Sequence, residues 1–456
     1  MLKKNLPIPP GIHLSLCMIV KNEEGNLSAC LESVKDIVDE MIILDTGSKD
    51  NTVKIAEEYG ANILHFKWCE DFSAARNESI KFASGKWILW MDADEQFDEN
   101  SKEELKTILN LTQHPMGVKV TIKNFSSNNV SYGNAYRLFS NHCGISFKNI
   151  VHEQVSYSLK EIKAEIVDSN IVINHFGYDE SKFDQEKKRV RNLPLLKKMS
   201  NENPDDFLPQ FLLGKHYSGE DHNQGKAIYH LEKFLQMNSR EIKLIASAYT
   251  TLGDIYLSQN EIIKAKFNVE KSLEVAPSQM TAYYLLGRIE SDQKQFEKAV
   301  EHLEELLEKM TDSGKFKSDN ALDTVFNRNH IAGFISKIML FHLNEKKSLE
   351  FIEKIWKTCG DYSEMSQIFY EWNELDKENF IQLTTNKGES EPHWKILNEI
   401  SGFLHLMKND YQGALPIFQN LFDKNHRNTF TIRSLAGIHA KMGRMDEAEI
   451  LLKSLL

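Results

Sequence analysis

The chain has 456 residues, enough for two or three domains at roughly 150 residues each and ample for a buried core. Apolar residues make up 41% and charged residues 27%, ordinary globular proportions that exclude a mainly disordered or collagen-like chain. The net charge of -11 disfavours a phosphate-coated partner, and no basic domain or aromatic-basic motif points to nucleic acid.

The cysteines, Cys17, Cys30, Cys69, Cys143 and Cys359, are odd in number, scattered and without a CxxC pair. Neither a disulfide framework nor a zinc site is indicated, and a reducing compartment fits. The N-terminal residues Met1 to Pro10 carry two lysines but no apolar core of a signal peptide. No stretch reaches the roughly 20 apolar residues that span a bilayer. A soluble cytoplasmic protein without a transmembrane segment is the expectation.

In chain order, the apolar runs Leu14 to Val20, Met41 to Asp45, Asn62 to Phe66 and Lys86 to Asp92 predict buried strands. Between them Asn26 to Lys35, Lys49 to Tyr59 and Phe72 to Ala83 have helical period, with Gly60 and Gly85 just beyond two of the ends. Strand alternating with helix at this rhythm predicts a mostly parallel sheet covered by helices. Short β-like runs at Val118 to Lys123, Ala135 to Phe139 and Ile171 to Ile173 would add strands and make the sheet mixed.

Beyond Asp179 the pattern is helical and it repeats. Gly253 and Ala265, Gly287 and Ala299, Gly402 and Ala414, and Ala436 and Ala448 are each 12 apart, and adjacent pairs step by 34. That period and spacing are the tetratricopeptide signature, with Leu252, Tyr256, Pro277 and Leu286 in place. Gly214 and Ala227 form a looser first unit, one residue out of step. From Thr311 to about Glu391 the repeat degenerates, with an insertion near Asp312 to Thr324. The expected domains are 1–178, a helical linker 179–204, and repeats over 205–456.

Chemistry-bearing residues cluster at the ends of the predicted strands. Asp92 and Asp94, flanking Ala93, fall on one side of the strand end at period two, where open α/β sheets bind ligands. Two carboxylates there suit Mg²⁺ or Mn²⁺ with diphosphate oxygens. Asp45 ends the second strand, and the turn after it offers Ser48 as a helix N-cap and Asp50 as a first-turn charge. In Asp71-Phe-Ser-Ala-Ala-Arg76-Asn77 a cation and an amide stand early in a helix, whose N-terminus favours an anion.

Together, Lys21-Asn22-Glu23-Glu24, Asp45 to Thr52, Asp71 to Asn77 and Asp92-Ala93-Asp94 resemble family 2 glycosyltransferases of the GT-A fold over residues 12 to about 180. Arg137-Leu-Phe139, Val151-His152-Glu153 and Asn174-His175-Phe-Gly-Tyr178 resemble the branch with a C-terminal tetratricopeptide domain, to which bacterial sublancin-type peptide S-glycosyltransferases belong. The resemblance implies a Rossmann-like α/β domain followed by an all-α solenoid. It implies inverting, metal-dependent transfer of a hexose from a nucleoside-diphosphate sugar, most often UDP-linked. On that basis Asp45 binds the uracil, Arg76 lies near the nucleotide, Asp92 meets the ribose, and Lys21, Asn22, Glu23, Asn77 and Ala93 belong to the nucleotide site. Asp94, with Asp92 and His175, holds the metal. Glu153 is the candidate base and His152 its alternative.

Rival readings fail on the same residues. Gln96 replaces the Thr or Val of a haloacid-dehalogenase motif, and neither GxGxxG nor GxxxxGK[ST] occurs. A non-catalytic repeat adaptor would not need Asp45, Arg76, Asp92 and Asp94 together. The acceptor expected from the repeats is a peptide or protein side chain, Cys, Ser or Thr; an envelope saccharide or lipid-linked glycan is the alternative, with repeats that only make a homodimer. Ser181 to Ser200 is basic, at net +5, through Lys182, Lys187, Lys188, Arg189, Arg191, Lys197 and Lys198. An inter-domain helix is expected there, bent or broken at Pro194.

Overall fold

The computed structural model describes residues 13–111, 115–126, 129–176, 182–237, 239–310, 327–385 and 393–455. The expectations for Met1 to Pro10, Gly177, Tyr178 and the insertion Asp312 to Thr324 lie outside the described residues. The chain divides into two compact units, Met1–Ile255 and Tyr256–Leu456.

The first unit begins with β1 (Leu14–Val20), α1 (Leu27–Val34), β2 (Glu40–Asp45), α2 (Thr52–Glu58), β3 (Asn62–His65), α3 (Phe72–Ile80) and β4 (Trp87–Trp90). It continues through β5 (Glu95–Phe97), α4 (Lys102–Leu109), β6 (Met116–Ser126), β7 (Asn129–Ser140), α5 (Ser156–Glu161) and β8 (Glu165–His175). The eight strands form one sheet in the order β3-β2-β1-β4-β7-β6-β8-β5. The first four strands are parallel, β7 runs against β4 and β6, β8 is parallel to β6, and β5 runs against β8.

Strand alternation divides the apolar side chains between two faces. Leu14, Leu16, Met18, Met41, Ile43, Trp87 and Leu89 pack with α1 and α4 residues such as Leu27, Leu31 and Leu105. Cys17, Ile42, Ile88, Trp90 and Phe139 pack on the other face with Phe147 and Leu159. The short runs expected after Gly117 are the centre of β6 and the C-terminal parts of β7 and β8, strands that extend to 11, 12 and 11 residues. Their ends are polar, so the ladder partner rather than hydropathy defines them.

Two local expectations are corrected. Ser48 does not cap the second helix: its Oγ accepts from the Asn22 N–H at 2.9 Å, and the helix starts only at Thr52. Pro194 does not break its helix, because α6 (Lys182–Glu202) runs through it.

After α6 the first unit continues with α7 (Phe207–Ser218), α8 (Gln224–Gln236) and most of α9 (Ile242–Ser258). Arg189 of α6 ties it to the end of α7, donating to Gly219 O at 3.1 Å and pairing with Glu220 at 2.5 Å. The second unit contains α10 (Ile262–Val275), α11 (Met280–Asp292), α12 (Phe296–Lys309), α13 (Arg328–Ile338), α14 (Glu345–Trp356) and α15 (Tyr362–Gln367). It ends with α16 (Glu374–Thr385), α17 (Trp394–Met407), α18 (Tyr411–Asp423), α19 (Thr429–Lys441) and α20 (Met445–Lys453).

The repeat glycines do what their spacing implies. A Cβ on Gly287 would lie 2.6 Å from Leu303, one on Gly402 2.6 Å from Phe418, and one on Gly214 2.5 Å from Leu231. Each large partner stands one helical turn after the fully buried small residue of the second helix, Ala299, Ala414 or Ala227. In the degenerate stretch a Cβ on Gly333 would meet main chain instead, 1.8 Å from Ile368 O. Trp372 and Phe380 fill the adjoining core. Among the described residues no helix is long and apolar enough to cross a membrane.

Candidate active site

The loops after β1 and β2, at the same edge of the parallel sheet, are stitched together by side chains. Asn22, at φ 56°, accepts from the Lys49 N–H at 2.8 Å, and the Glu23 N–H donates to Thr52 Oγ1 at 2.7 Å. Glu24 accepts from both nitrogens of Asn51 at 3.0 and 2.9 Å. Asp45 is buried beneath this seam, accepting from the amides of Gly47 at 3.1 Å and Ser48 at 3.0 Å, with His65 Nδ1 3.6 Å away. Lys21 is exposed on the same loop.

At the end of β4 the charges form a ladder. Glu153 Oε1 accepts from Arg76 Nε at 2.7 Å, and Arg76 Nη2 donates to Asp92 Oδ1 at 2.7 Å. Asp92 Oδ2 lies 3.5 Å from Arg137 Nη2, which donates to Glu95 Oε1 at 2.5 Å. Glu95 Oε2 closes the set by accepting the Asp92 N–H at 2.9 Å. Both guanidinium groups lie over the Trp90 ring, Arg137 at 3.5 Å and Arg76 at 4.4 Å from its centroid.

Burial works against ionisation of Asp92, but Arg76 and Arg137 overcome it and hold its carboxyl well below the usual range. Burial pushes Glu95 above the ordinary glutamate value; Arg137 opposes this and the Asp92 charge adds to it. Glu23 is raised by burial, against a hydrogen bond from Asn26 and with the negative charges of Asp94 and Asp92.

Asp94 stands apart from the ladder. The β5–β8 pairing sets Glu95 opposite His175, and the Phe176 N–H donates to Asp94 O at 3.0 Å. His175 Nε2 therefore faces Asp94 Oδ2 at 3.4 Å, while its Nδ1 lies 2.8 Å from Asn124 Oδ1. Burial would lower the His175 pKa, but the Asp94 hydrogen bond and charge, with Glu95 and Asp92 behind, raise it.

These groups suit a hard divalent cation. With Nδ1–H donating to Asn124, loss of the Nε2 proton that faces Asp94 would turn a ring lone pair and the Asp94 carboxylate toward one another, a disposition that a cation satisfies. Among the described residues no ready-made group of three or more metal-binding side chains occurs. Mg²⁺ commonly takes one or two carboxylates and borrows phosphate oxygens for the rest. Asp92 has both oxygens turned to arginines, so Asp94 and His175 are the better-placed pair.

Of the residues named from the sequence, Arg76, Asp92 and Glu153 are brought into direct contact, and Asp94 meets His175. Ala93 is buried between the acids. Asn77 is committed to Phe147, donating to its carbonyl at 2.9 Å and accepting from its N–H at 2.7 Å. His152, at φ 55°, is exposed beside Glu153. Glu95, Arg137, Trp90 and Asn124 were absent from the expected set. Glu95 extends the Asp92 run and Arg137 lies in the Arg-Leu-Phe motif, so both carried a signal; Asn124, in a polar strand end, carried none.

A mixed sheet whose parallel strands end in convergent carboxylates offers a ligand site at those strand ends, and its class follows from comparison. Residues 15–174 match the glycosyl transferase family 2 model, and residues 246–279 and 281–308 match the tetratricopeptide repeat. The chain thus carries a family 2 glycosyltransferase domain followed by tetratricopeptide repeats, as the motifs suggested. It is 39% identical over 199 residues to a TPR repeat-containing protein of Synechococcus elongatus, covering 42% of this chain and 49% of that one. It is 28% identical over 221 residues to the SPbeta prophage-derived glycosyltransferase SunS of Bacillus subtilis, covering 47% and 51% respectively. The matched region thus spans about half the length of these relatives. Among solved structures, S. aureus TarS 1-349 with UDP-GlcNAc aligns at 15% identity and a TM-score of 0.37, covering 58% of this chain and 91% of that one.

Proposed function

We propose that the protein is an inverting, metal-assisted glycosyltransferase that moves a hexose from a UDP-linked donor to a cysteine, serine or threonine side chain of a peptide or protein. The observation that carries this reading is the convergence of Asp92 and Asp94 with His175 on one side and Arg76 and Glu153 on the other. Asp45, preset by the turn amides, keeps lone pairs to accept from a uracil N–H. Asp92 offers the ribose an ionised carboxylate. Asp94 and His175 would hold Mg²⁺ or Mn²⁺, and such an ion, when bound, would neutralise the departing diphosphate. Glu153 accepts the acceptor's proton, with His152 beside it as the alternative, and direct displacement inverts the anomeric carbon. A thiol acceptor needs less help from the base than a hydroxyl. Tetratricopeptide stacks curve into concave surfaces that suit extended peptides, which favours a polypeptide acceptor over a saccharide or lipid-linked glycan.

The test is a panel of UDP- and GDP-sugars with Mn²⁺, scored by melting-temperature shift and slow hydrolysis, followed by a product screen with extract peptides, glycans and lipids. Donor-dependent stabilisation lost in Asp94→Ala and in EDTA, with sugar appearing on peptide, is the expected result. Binding unchanged by EDTA would remove the metal, and sugar only on lipid or glycan would remove the peptide acceptor.

A further inference from the structure

The ring of contacts around α3 assigns Arg76 a role other than nucleotide binding. Its guanidinium is buried, and the Nε/Nη2 edge is spent on two carboxylates of the protein at 2.7 Å each. The other polar groups along the first turns of α3 are spent on the same loop. The Phe72 N–H donates to Ile150 O at 2.9 Å, Ser73 Oγ donates to Asn149 O at 2.5 Å, and Asn77 grips Phe147 at both its N–H and its carbonyl. Asp71 accepts from the Ala74 N–H at 2.9 Å, so a carboxylate of this chain already serves the helix N-terminus. The loop so held contains left-handed residues at Asn149 and His152, at φ 77° and 55°, a shape that non-glycine residues adopt at a cost. It delivers Glu153, whose side chain is 12% exposed, to Arg76.

We propose that Arg76 is a positioning residue that fixes Glu153 against Asp92, making the segment Asp71 to Asn77 a clamp on the base-bearing loop instead of a nucleotide ligand. The proposal rests on the functional reading above for the identity of the base. Because Arg76 bridges the two carboxylates, the base is located relative to the group that meets the donor. Its two nitrogens sit on one rigid plane, so both ion pairs form together; a lysine ammonium has no such fork.

The experiment uses the full-length protein with UDP and Mn²⁺, comparing wild type with Arg76→Gln, Arg76→Lys, Glu153→Gln and the Arg76→Gln/Glu153→Gln double variant. Amide exchange of residues 147–153 and the UDP dissociation constant are both measured, with circular dichroism as the check on folding. The expected result is exchange of that loop at least about tenfold faster in Arg76→Gln, partial rescue in Arg76→Lys, and UDP affinity within roughly threefold of wild type. Glu153→Gln should loosen the same loop, and the double variant should add little, because both ends of one contact have been removed. UDP affinity at least about tenfold weaker with loop exchange unchanged would make Arg76 a nucleotide ligand and overturn the proposal. Additive loosening in the double variant would overturn it too. Should Arg76→Gln not fold, Arg76→Lys and Glu153→Gln still read the contact from either end. Failure of wild type to bind any uridine or guanosine nucleotide would sink the functional reading, while loop exchange would still decide the clamp.

Discussion

Replacing Arg137 by Met tests whether the buried ladder is held by charge. The stem of Met keeps much of the packing over Trp90, but the cation between Glu95 and Asp92 disappears. Arg137 is 7% exposed and Glu95 1%, so water replaces little of the loss. Opposite charges about 4 Å apart attract by about 4 kcal/mol at an effective dielectric of about 20. Breaking a buried pair from one side costs about 3–5 kcal/mol in proteins at large. Glu95 can limit that cost by taking up a proton. Its folded pKa is already raised, by burial and then, against Arg137, by Asp92, and loss of Arg137 raises it further. Between the folded pKa values of the two proteins, the variant keeps a proton that wild type has released. The destabilisation then grows with pH by up to about 1.4 kcal/mol per unit and levels off above the variant's own value. Native-state exchange of the amides in β4 and at the end of β7, measured at pH 6 and pH 8, reports the opening free energy of this part of the first unit. A loss below about 1 kcal/mol at both pH values would mean that the ladder is not held by its charges.

Glu95→Gln acts in the opposite sense. Wild type loses stability as pH rises above the unfolded glutamate value of 4.5 through the raised folded one, so the variant gains on wild type between pH 5 and pH 8 in urea titrations; a constant difference would contradict the shift. Asn77→Ala removes two hydrogen bonds from buried main chain at Phe147 and should cost about 2 kcal/mol, read as faster exchange of residues 147–153 with the Asp94 region unaltered. Gly333→Ala drives a Cβ to 1.8 Å from a main-chain oxygen, whereas Gly287→Ala meets only a leucine side chain, Leu303 Cγ at 2.6 Å. The first should lower the melting temperature of the second unit by several degrees more, since overpacking costs roughly 1–3 kcal/mol and more where backbone must move.

What the sequence disclosed depended on how local the cause was. The parallel strands were legible because each is a short, mainly apolar run, two of them leading into Asp45 and Asp92, and the repeats because small residues recur at a fixed step. β5 was not, since three residues around Gln96 take their conformation from β8. The acids of the site were visible as strand-end carboxylates. The pairings were not: Arg137 stood in a visible motif, but that it reaches Asp92 from a strand 45 residues away was not legible, nor was Asn124 reaching His175 across 51. Ser48 was misread because the helix starts only at Thr52, behind Asn51, which leaves the Ser48 hydroxyl to accept from the distant Asn22 N–H.

In the helical pairs that carry Gly214, Gly287 and Gly402, the glycine and its large counterpart constitute one lock and key shared across a turn. In the second unit both pairs observed stand 16 residues apart, Gly287 with Leu303 and Gly402 with Phe418, while in the first Gly214 and Leu231 stand 17 apart. Inheritance of such a repeat is therefore all or none. A segment cut and exchanged at the loops before and after a helical pair carries both halves of the contact and can be moved, duplicated or deleted whole. A crossover inside the turn would match a cavity sized for leucine with the ring of a phenylalanine, so recombination within this array should survive only at the loops that bound each pair.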